Sequence, residues 1–258
     1  MVMETLLIIP KKEYLLVKID HGKVNAINST LVRELIGIFE KAEMDPGIKG
    51  IVLAGKPKYF SAGLDLPELY SYDDATIRGF FTSFSKMHIL MSRFSKPFVC
   101  AVTGYSPAGG TVIALTADYR VMADNPVYSI GLNEMQVNVQ ISTDLIESYC
   151  YWLGSSIANR FILDGKLLNP KEALSYNLVD EICSENEVID RAERKMKQYL
   201  FADLDIFRNT KIKLRAKWWR GQSSEANNEL EEAVKMWWKP ENRAKIKFLI
   251  ESFSSKKS

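Results

Sequence analysis

The chain has 258 residues, of which 47% are hydrophobic and 26% are charged, and its formal net charge is +2. This is the composition of an ordinary globular protein with enough apolar residues for a sizeable core. The near-neutral charge, without a basic stripe interleaved with aromatic residues, argues against a nucleic-acid partner. No uninterrupted apolar run reaches the roughly 18 residues that a membrane-spanning helix needs. We therefore expect a protein that binds neither nucleic acid nor membrane.

The cysteines and histidines argue against metal, disulfide and triad chemistry. Cys100, Cys150 and Cys183 are widely spaced in apolar stretches and lack the C-x-x-C spacing of metal ligands. The two histidines, His21 and His88, are too far apart in the sequence to suggest a metal site or a Ser-His-Asp triad. The N-terminal segment does not have the pattern of a signal peptide. The sequence therefore predicts a soluble cytoplasmic protein without a metal ion.

The first two-thirds of the chain alternates strand-like runs with helical stretches. Strand-forming residues dominate three short runs bounded by turn residues, EYLLVKI, GIVLAG and FVCAVTG. A first helix is predicted after Ser29, where apolar residues recur at helical spacing. A second helix is predicted from Asp73 or Asp74 to about Phe94, ending before Pro97. Such alternation is typical of an α/β fold.

After about Asn186 the pattern is helical throughout. In four segments apolar residues recur at helical spacing, and no clear strand follows Ile182. The sequence therefore predicts an α/β body over residues 1–185 and an all-helical region over residues 186–258. Two pairs of adjacent tryptophans in the helical region would each cover a wide apolar arc. Such arcs must pack against the body or against another subunit.

Two turns are built from small residues and follow predicted strands. The first lies in KYFSAGLDLPEL (58–69), and the second contains Gly109 and Gly110 at the start of a predicted helix. Small residues let a ligand approach the backbone closely, and N–H groups that open a helix have no intrahelical acceptor. Both turns would suit an anion or a developing oxyanion. The alternative is that they are ordinary turns needed for close packing.

Together these segments resemble the crotonase (enoyl-CoA hydratase/isomerase) family. The resemblance is carried in order by VNAIN (24–28), FSAGLDL (60–66), AVTGYSPAGGTVIALTADYRVMAD (101–124) and YSIGLNEMQ (128–136). It implies a crotonase (ClpP-like) spiral of ββα units that binds acyl-CoA, followed by a helical trimerisation region. We therefore expect a homotrimer or a dimer of trimers. Coenzyme A would be part of the substrate, so no separate cofactor is expected.

The resemblance also assigns site residues. Its two oxyanion donors correspond to the backbone amides of Ser61 and Gly109, and its base corresponds to Glu134. The positions expected to bind substrate are Ala26, Ala62, Gly63, Leu64, Asp65, Leu66, Gly110 and Asn133.

One carboxylate decides between the reactions of the family. Hydratases that resemble this chain use two glutamates, and the position of the first is occupied here by Val112, which cannot transfer a proton. Glu134 matches the second, and Ser142 stands where dienoyl-CoA isomerases have a further acid. Moving a double bond from C3–C4 to C2–C3 needs one base that reaches both C2 and C4. The resemblance is therefore closest to the Δ3,Δ2-enoyl-CoA isomerase branch (dodecenoyl-CoA isomerase type).

The segment after Glu134 departs from the family pattern. Asn138 stands where a glycine is usual, and Gln140, Ser142 and Asp144 add polar groups near the expected acyl chain. These residues would cap a helix starting near Thr143, or they would face a short or polar acyl group. Two alternatives to the isomerase stay open: a hydratase or thioesterase with Asp144 as second acid, and a non-catalytic acyl-CoA-binding paralogue.

Overall fold

The computed structural model describes residues 3–221 and 226–255 and contains two sheets. The larger sheet has six strands in the order β1-β2-β3-β5-β7-β9, and the smaller has three in the order β4-β6-β8. The pairing of β1 with β2 is antiparallel, and the other pairings in both sheets are parallel. The strands are β1 Leu6–Pro10, β2 Leu15–Ile19, β3 Ile51–Ala54, β4 Lys58–Tyr59, β5 Phe98–Val102, β6 Gly104–Pro107, β7 Tyr119–Ala123, β8 Ile130–Gly131 and β9 Glu181–Cys183.

The chain passes repeatedly from the larger sheet to the smaller one and then into a helix. Strands β3, β5 and β7 are followed by β4, β6 and β8, and helices return the chain to the larger sheet. These are ββα turns stacked as a spiral, so the predicted crotonase-type α/β architecture is confirmed. The body helices are α1 Ser29–Met44, α2 Leu66–Tyr70, α3 Asp74–Arg93, α4 Gly109–Leu115, α5 Glu134–Val137, α6 Thr143–Leu153, α7 Ser155–Asp164 and α8 Pro170–Ser175.

The predicted helix starts are close to those observed. Asp73 caps α3 through a hydrogen bond from the Thr76 amide. Helix α1 is capped one residue earlier than predicted, because the Asn28 side chain accepts a hydrogen bond of 3.0 Å from Leu31 N. Asparagine is as good a cap as serine, which explains why α1 begins one residue earlier.

The core lies between the larger sheet and its helices. All residues of β3 and β5 are buried, as expected of parallel strands covered on both faces. Phe39 of α1 makes edge-to-face contacts with Phe94 and Phe98, with ring centroids 5.1 and 4.9 Å apart. This packing holds α1 against the amino end of β5.

Four helices follow β9, as predicted: α9 Val188–Tyr199, α10 Leu204–Gly221, α11 Ala226–Trp238 and α12 Pro240–Ser255. Residues 1–2, 222–225 and 256–258, which fall in the predicted regions, lie outside the described residues. Helix α10 is joined to the body by Asp118, whose carboxylate lies 2.7 Å from Lys211 Nζ and 2.8 Å from an Arg215 guanidinium nitrogen. Trp218 and Trp237 are buried, so body packing accounts for one tryptophan of each pair.

Candidate active site

The two small-residue turns lie against each other. Gly63, in the first turn, has a φ of +87°, and Ala108, just before α4, has a φ of +46°. A Cβ placed on Gly63 would lie 3.4 Å from the Ala108 Cβ and 3.5 Å from Gly109 N. A Cβ placed on Gly109 would lie 3.6 Å from Leu64 N. Larger side chains would therefore fill the space between the two turns.

Two backbone amides in these turns have no acceptor. Gly109 is the first residue of α4, so its N–H has no intrahelical partner. In the first turn, Ile27 N donates to Gly63 O at 2.8 Å and Asp65 N donates to Ile27 O at 2.9 Å. Successive amides of an extended strand point in opposite directions, so Leu64 N faces away from Ile27. Among the described residues, neither the Leu64 nor the Gly109 amide makes a hydrogen bond.

The structure contradicts the prediction that the Ser61 amide is an oxyanion donor. Ser61 N donates to Tyr105 O at 3.2 Å, next to the pairing of β4 with β6. The Ser61 hydroxyl is also buried, and it donates to Asn25 O at 2.7 Å. Both donors of Ser61 are therefore used to hold the turn. The amide left free in this turn is that of Leu64, three residues later.

A cavity of about 1050 Å³ opens beside the two turns, which is large enough for a sizeable ligand. Eight of the predicted site residues lie in its wall: Ala26, Ala62, Leu64, Asp65, Leu66, Gly109, Asn133 and Glu134. Two predicted substrate-binding glycines, Gly63 and Gly110, are not in the wall. A Cβ on Gly110 would meet Ser61 O at 2.8 Å, so this glycine permits close packing of the turns behind the cavity.

Glu134 is the candidate base. It is the first residue of α5, its side chain is 6% exposed, and it lines the cavity. No described residue lies within hydrogen-bonding range of its Oε2. Burial raises the pKa of Glu134 to about 7. A carboxyl group with a pKa near neutrality can both remove and return a proton.

Tyr149 lies close enough to Glu134 to be affected by its charge. Burial raises the pKa of Tyr149 well above its ordinary value, and the Glu134 carboxylate raises that pKa further. The Tyr149 hydroxyl is buried and accepts or donates no side-chain hydrogen bond within the described residues. Tyr149 is in α6, and no sequence motif pointed to it.

Val112 and Asp144 bear on whether a second acid is present. Val112 is buried in α4. Asp144, in the first turn of α6, is 5% exposed and lines the same cavity as Glu134. Burial and then the charge of Glu229 raise the pKa of Asp144. The pKa of Glu134 is raised by burial alone, so the two carboxyl groups have different surroundings.

The polar residues after Glu134 have several separate roles. Asn138 has a φ of +54°, a left-handed conformation that asparagine tolerates better than most residues. This explains why it can stand where relatives have glycine. Ser142 is at the cap position of α6 but makes no capping hydrogen bond through its side chain. Gln140 and Ser142 both lie in the cavity wall, so helix capping does not account for them.

A family model of enoyl-CoA hydratase/isomerase proteins matches residues 11–258. The chain belongs to the enoyl-CoA hydratase/isomerase family. The family prediction is therefore confirmed, and with it the prediction that the chain belongs to a family of enzymes.

Members of this family with curated names resemble about two-thirds of the chain. Enoyl-CoA delta isomerase 1, mitochondrial, of Rattus norvegicus is 35% identical over 183 residues, which are 70% of this chain and 63% of that protein. The Homo sapiens protein of the same name is 34% identical over 184 residues, 71% of this chain and 61% of that protein. The matches thus span less than two-thirds of these relatives. The 2,3-dehydroadipyl-CoA hydratase of Escherichia coli is 27% identical over 158 residues, 61% of this chain and 60% of that protein.

Solved structures extend the likeness in fold to nearly the whole chain. The crystal structure of human mitochondrial delta3-delta2-enoyl-CoA isomerase superposes with a TM-score of 0.94 at 28% identity, covering 99% of this chain and 100% of that chain. The structure of Pseudomonas aeruginosa DspI superposes with a TM-score of 0.78 at 22% identity, covering 91% of this chain and 96% of that chain, and shows the fold alone. The predicted fold class is confirmed.

Over residues 3–221 and 226–255, no helix is both long and apolar enough to cross a membrane. Across the same part of the chain, no three His, Cys, Asp or Glu side chains come together as metal ligands would. The absence of a cofactor other than coenzyme A stays a prediction.

Proposed function

We propose that the chain is a Δ3,Δ2-enoyl-CoA isomerase that moves a double bond from C3–C4 to C2–C3 of an acyl-CoA. The observation that carries this proposal is a buried carboxyl group with a pKa raised to about 7, Glu134, in a cavity that is also lined by Leu64 and Gly109, whose amides are free. Val112 stands where a second proton-transferring residue would be needed next to these amides.

The proposed reaction begins with the thioester carbonyl oxygen between the Leu64 and Gly109 amides. Glu134 removes a proton from C2, the electron pair of that C–H bond forms a C1–C2 double bond, and negative charge develops on the carbonyl oxygen. The two N–H groups stabilise this dienolate because they already point at the oxygen, and each such donor typically contributes about 10²–10³-fold in rate. Protonated Glu134 then returns the proton to C4, and the double bond comes to rest at C2–C3.

The raised pKa of Glu134 suits both half-reactions. A carboxyl group with an ordinary pKa would be a weak base toward C2, whereas a group with a pKa of about 7 is a stronger base and remains a usable acid. Ionisation of Glu134 lowers the stability of the folded state, because the carboxylate is held away from water. The raised pKa therefore supports a role in proton transfer.

The proposal is tested by giving the purified protein a 3-enoyl-CoA and following the absorbance of the conjugated 2-enoyl thioester. Isomerase activity predicts a rise in this absorbance without loss of the double bond. A parallel sample receives the 2-enoyl-CoA, and hydration would appear there as a fall in absorbance. If acyl-CoA binds but neither reaction occurs, the non-catalytic paralogue is the correct alternative.

A second candidate function is hydration or thioester hydrolysis with Asp144 as the additional acid. The position of Asp144 in the same cavity wall as Glu134 favours it. Syn hydration needs both carboxyl groups at neighbouring carbons of one double bond. After burial, the charges that act on the pKa of Asp144 are those of Glu229, which raises it, and Arg93, which lowers it. Glu134 is not among them, so we place Asp144 at another part of the cavity and favour the isomerase.

We also propose that the chain forms a homotrimer or a dimer of trimers through its C-terminal helices. Large apolar side chains in this region are exposed in the single chain, among them Phe201, Leu214 and Phe248. Light scattering coupled to size-exclusion chromatography should give three or six times the chain mass. A monomer would contradict this part of the proposal.

A cytoplasmic location stays a prediction. The rat and human relatives are named as mitochondrial, so localisation of a tagged full-length protein is the experiment that decides it.

A further inference from the structure

The two oxygens of the Glu134 carboxyl group have different surroundings. The residue lines the cavity, but its Oε2 is enclosed by protein and has no hydrogen-bond partner within the described residues. Oε1 is therefore the oxygen that can reach a ligand in the cavity. A carboxylate oxygen that is buried without a donor is costly, so a donor next to Oε2 would stabilise the ionised base.

A hydroxyl group without a partner lies behind the same cavity. Tyr149 is fully buried, and in the described part of the chain its hydroxyl has no hydrogen-bond partner. Tyr149 follows Leu145 by four residues in α6, so the two side chains lie on the same face of the helix. Leu145 is in the cavity wall and Tyr149 is not, which places Tyr149 one turn further along, behind that wall.

The surroundings of the Tyr149 hydroxyl place it next to Glu134. After burial, the charge of Glu134 has the largest effect on the pKa of Tyr149 and raises it, whereas the Leu132 backbone lowers it. Leu132 precedes Glu134 by two residues, and its amide donates to no backbone acceptor among the described residues. A backbone N–H lowers the pKa of a hydroxyl by pointing at the hydroxyl oxygen. The O–H proton of Tyr149 is then left for another acceptor.

No charged group of the described residues competes with Tyr149 for the Glu134 carboxylate. Burial raises the pKa of Glu134, and its own backbone amide lowers it. The titratable groups that neighbouring helices bring to the cavity wall do not act on this pKa: His88 of α3, Asp144 of α6 and Glu229 of α11. The unpaired Oε2 and the unpaired hydroxyl are therefore complementary acceptor and donor.

We propose that Tyr149 is a positioning residue for Glu134: its hydroxyl donates to Oε2 of the ionised carboxylate and leaves Oε1 to exchange the proton with substrate. The inference rests on the proposed function, because it adds a residue to the same reaction. The two groups are not hydrogen-bonded in the structure. They meet by rotation of the carboxylate about its last torsion, whose preferences are broad.

The hydrogen bond would hold Glu134 through both halves of the reaction. When Oε1 takes the proton from C2, Oε2 becomes a carbonyl oxygen and still accepts from Tyr149. The carboxyl group therefore keeps one orientation while the proton passes from C2 to C4. Without the hydroxyl, the carboxyl group is free to turn between the two steps.

The test measures the pKa of Glu134 in Tyr149→Phe, which removes only the hydroxyl. The C=O stretch of the protonated carboxyl group, taken as the infrared difference between each protein and its Glu134→Gln counterpart, follows this titration without turnover. A donor to the ionised form lowers the pKa, so loss of the donor should raise it by about one pH unit. An unshifted pKa would overturn the proposal. Tyr151→Phe, the same substitution on the same helix outside the cavity wall, is the matched control and should leave the titration unchanged.

A second substitution acts in the opposite direction. Tyr149→3-fluorotyrosine keeps the ring and the hydroxyl but makes the hydroxyl a stronger donor, so the pKa of Glu134 should fall below its wild-type value. A purely structural role for Tyr149 would not produce opposite shifts in these two variants. If Tyr149→Phe does not fold, the fluorinated protein decides, and a pKa of Glu134 that fails to fall would contradict the proposal.

Turnover of a 3-enoyl-CoA gives the functional readout. The rate rises with pH as Glu134 ionises, so the rising limb of kcat/KM should move to higher pH by about one unit in Tyr149→Phe. On the alkaline plateau kcat should fall about 10-fold, because the base is less well oriented, and KM should be nearly unchanged. A raised KM with unchanged kcat would indicate a binding role and contradict positioning.

Failure of this inference can be told from failure of the isomerase proposal. A protein that isomerises 3-enoyl-CoA, but in which Tyr149→Phe leaves the pKa of Glu134 unchanged, would refute only the role of Tyr149. A protein without isomerisation, in which the two variants shift this pKa in opposite directions, would refute only the proposed reaction and retain the hydrogen bond.

Discussion

Replacing Glu134 by glutamine should make the protein more stable at neutral and alkaline pH while abolishing the proposed activity. The side chain keeps its shape but loses the charge that is costly to bury. The pKa of Glu134 is raised from 4.5 to about 7. At about 1.4 kcal/mol per pH unit, this shift corresponds to about 3 kcal/mol of folding free energy.

The direction of the effect follows from proton binding. Between about pH 4.5 and pH 7 the folded wild type holds a proton on Glu134 that the unfolded chain has released. The stability of the wild type, relative to Glu134→Gln, therefore falls as the pH rises through this window. Below the window both states are protonated and the penalty is absent. Above it the penalty of about 3 kcal/mol is complete.

The assay is urea unfolding of wild type and Glu134→Gln at pH 5 and pH 8, at equal protein concentration. The difference in unfolding free energy should shift by about 2–3 kcal/mol in favour of the variant between the two pH values. Ser61→Ala removes no titratable group, so its difference from wild type should not depend on pH. A Glu134→Gln difference that changes by less than about 0.5 kcal/mol would refute a raised pKa at Glu134.

Three further substitutions test other parts of the structure. Gly109→Ala places a methyl group between the two amides, so turnover should fall by at least about 10-fold with folding retained; unchanged turnover would argue against this oxyanion site. Ser61→Ala should cost about 1–2 kcal/mol in urea unfolding but change turnover little, since the serine hydroxyl holds the turn; a large loss of turnover in the folded variant would contradict a purely structural role for this hydroxyl. Asp118→Asn leaves Lys211 and Arg215 without their buried partner and should cost about 3–5 kcal/mol; a loss below about 1 kcal/mol would contradict the role of this cluster in holding α10.

Local sequence signals predicted part of the fold, and the family resemblance implied its spiral architecture. Runs of strand-forming residues that alternate with helical stretches predicted parallel strands of the larger sheet, and Asp73 predicted the start of α3. The two turns were recognisable because only small residues fit where two backbones meet, as at Gly63 and Gly109. The position of Glu134 in a buried cavity wall also agrees with its prediction as the base.

Features that depend on distant contacts could not be predicted. Ser61 and Leu64 both lie in the first turn, and their amides differ only in what packs beside them. Tyr105 takes the amide of Ser61, whereas pairing with Ile27 turns the Leu64 amide toward the cavity. No local pattern of residues carries this information.

The shared cavity position of His88 and Asp144 was missed for a similar reason. His88 and Asp144 come from helices that are far apart in sequence, and they meet only because α3 and α6 pack around the same cavity. Asp144 was noticed as a polar residue, but its neighbours were not predicted. The Ser148 hydroxyl of α6 lies 2.9 Å from His88 Nε2 and accepts a hydrogen bond from Trp218 Nε1 of α10, a contact between three helices that no local pattern shows.

The central claim is that Glu134 transfers the proton during isomerisation of an acyl-CoA. It is tested most directly by the turnover number for a 3-enoyl-CoA in wild type and Glu134→Gln, with dissociation constants for a saturated acyl-CoA measured alongside. We predict a fall of about 10²–10⁴-fold in turnover, the usual contribution of general acid–base catalysis, with binding nearly unchanged. Turnover in Glu134→Gln equal to that of the wild type would contradict the claim.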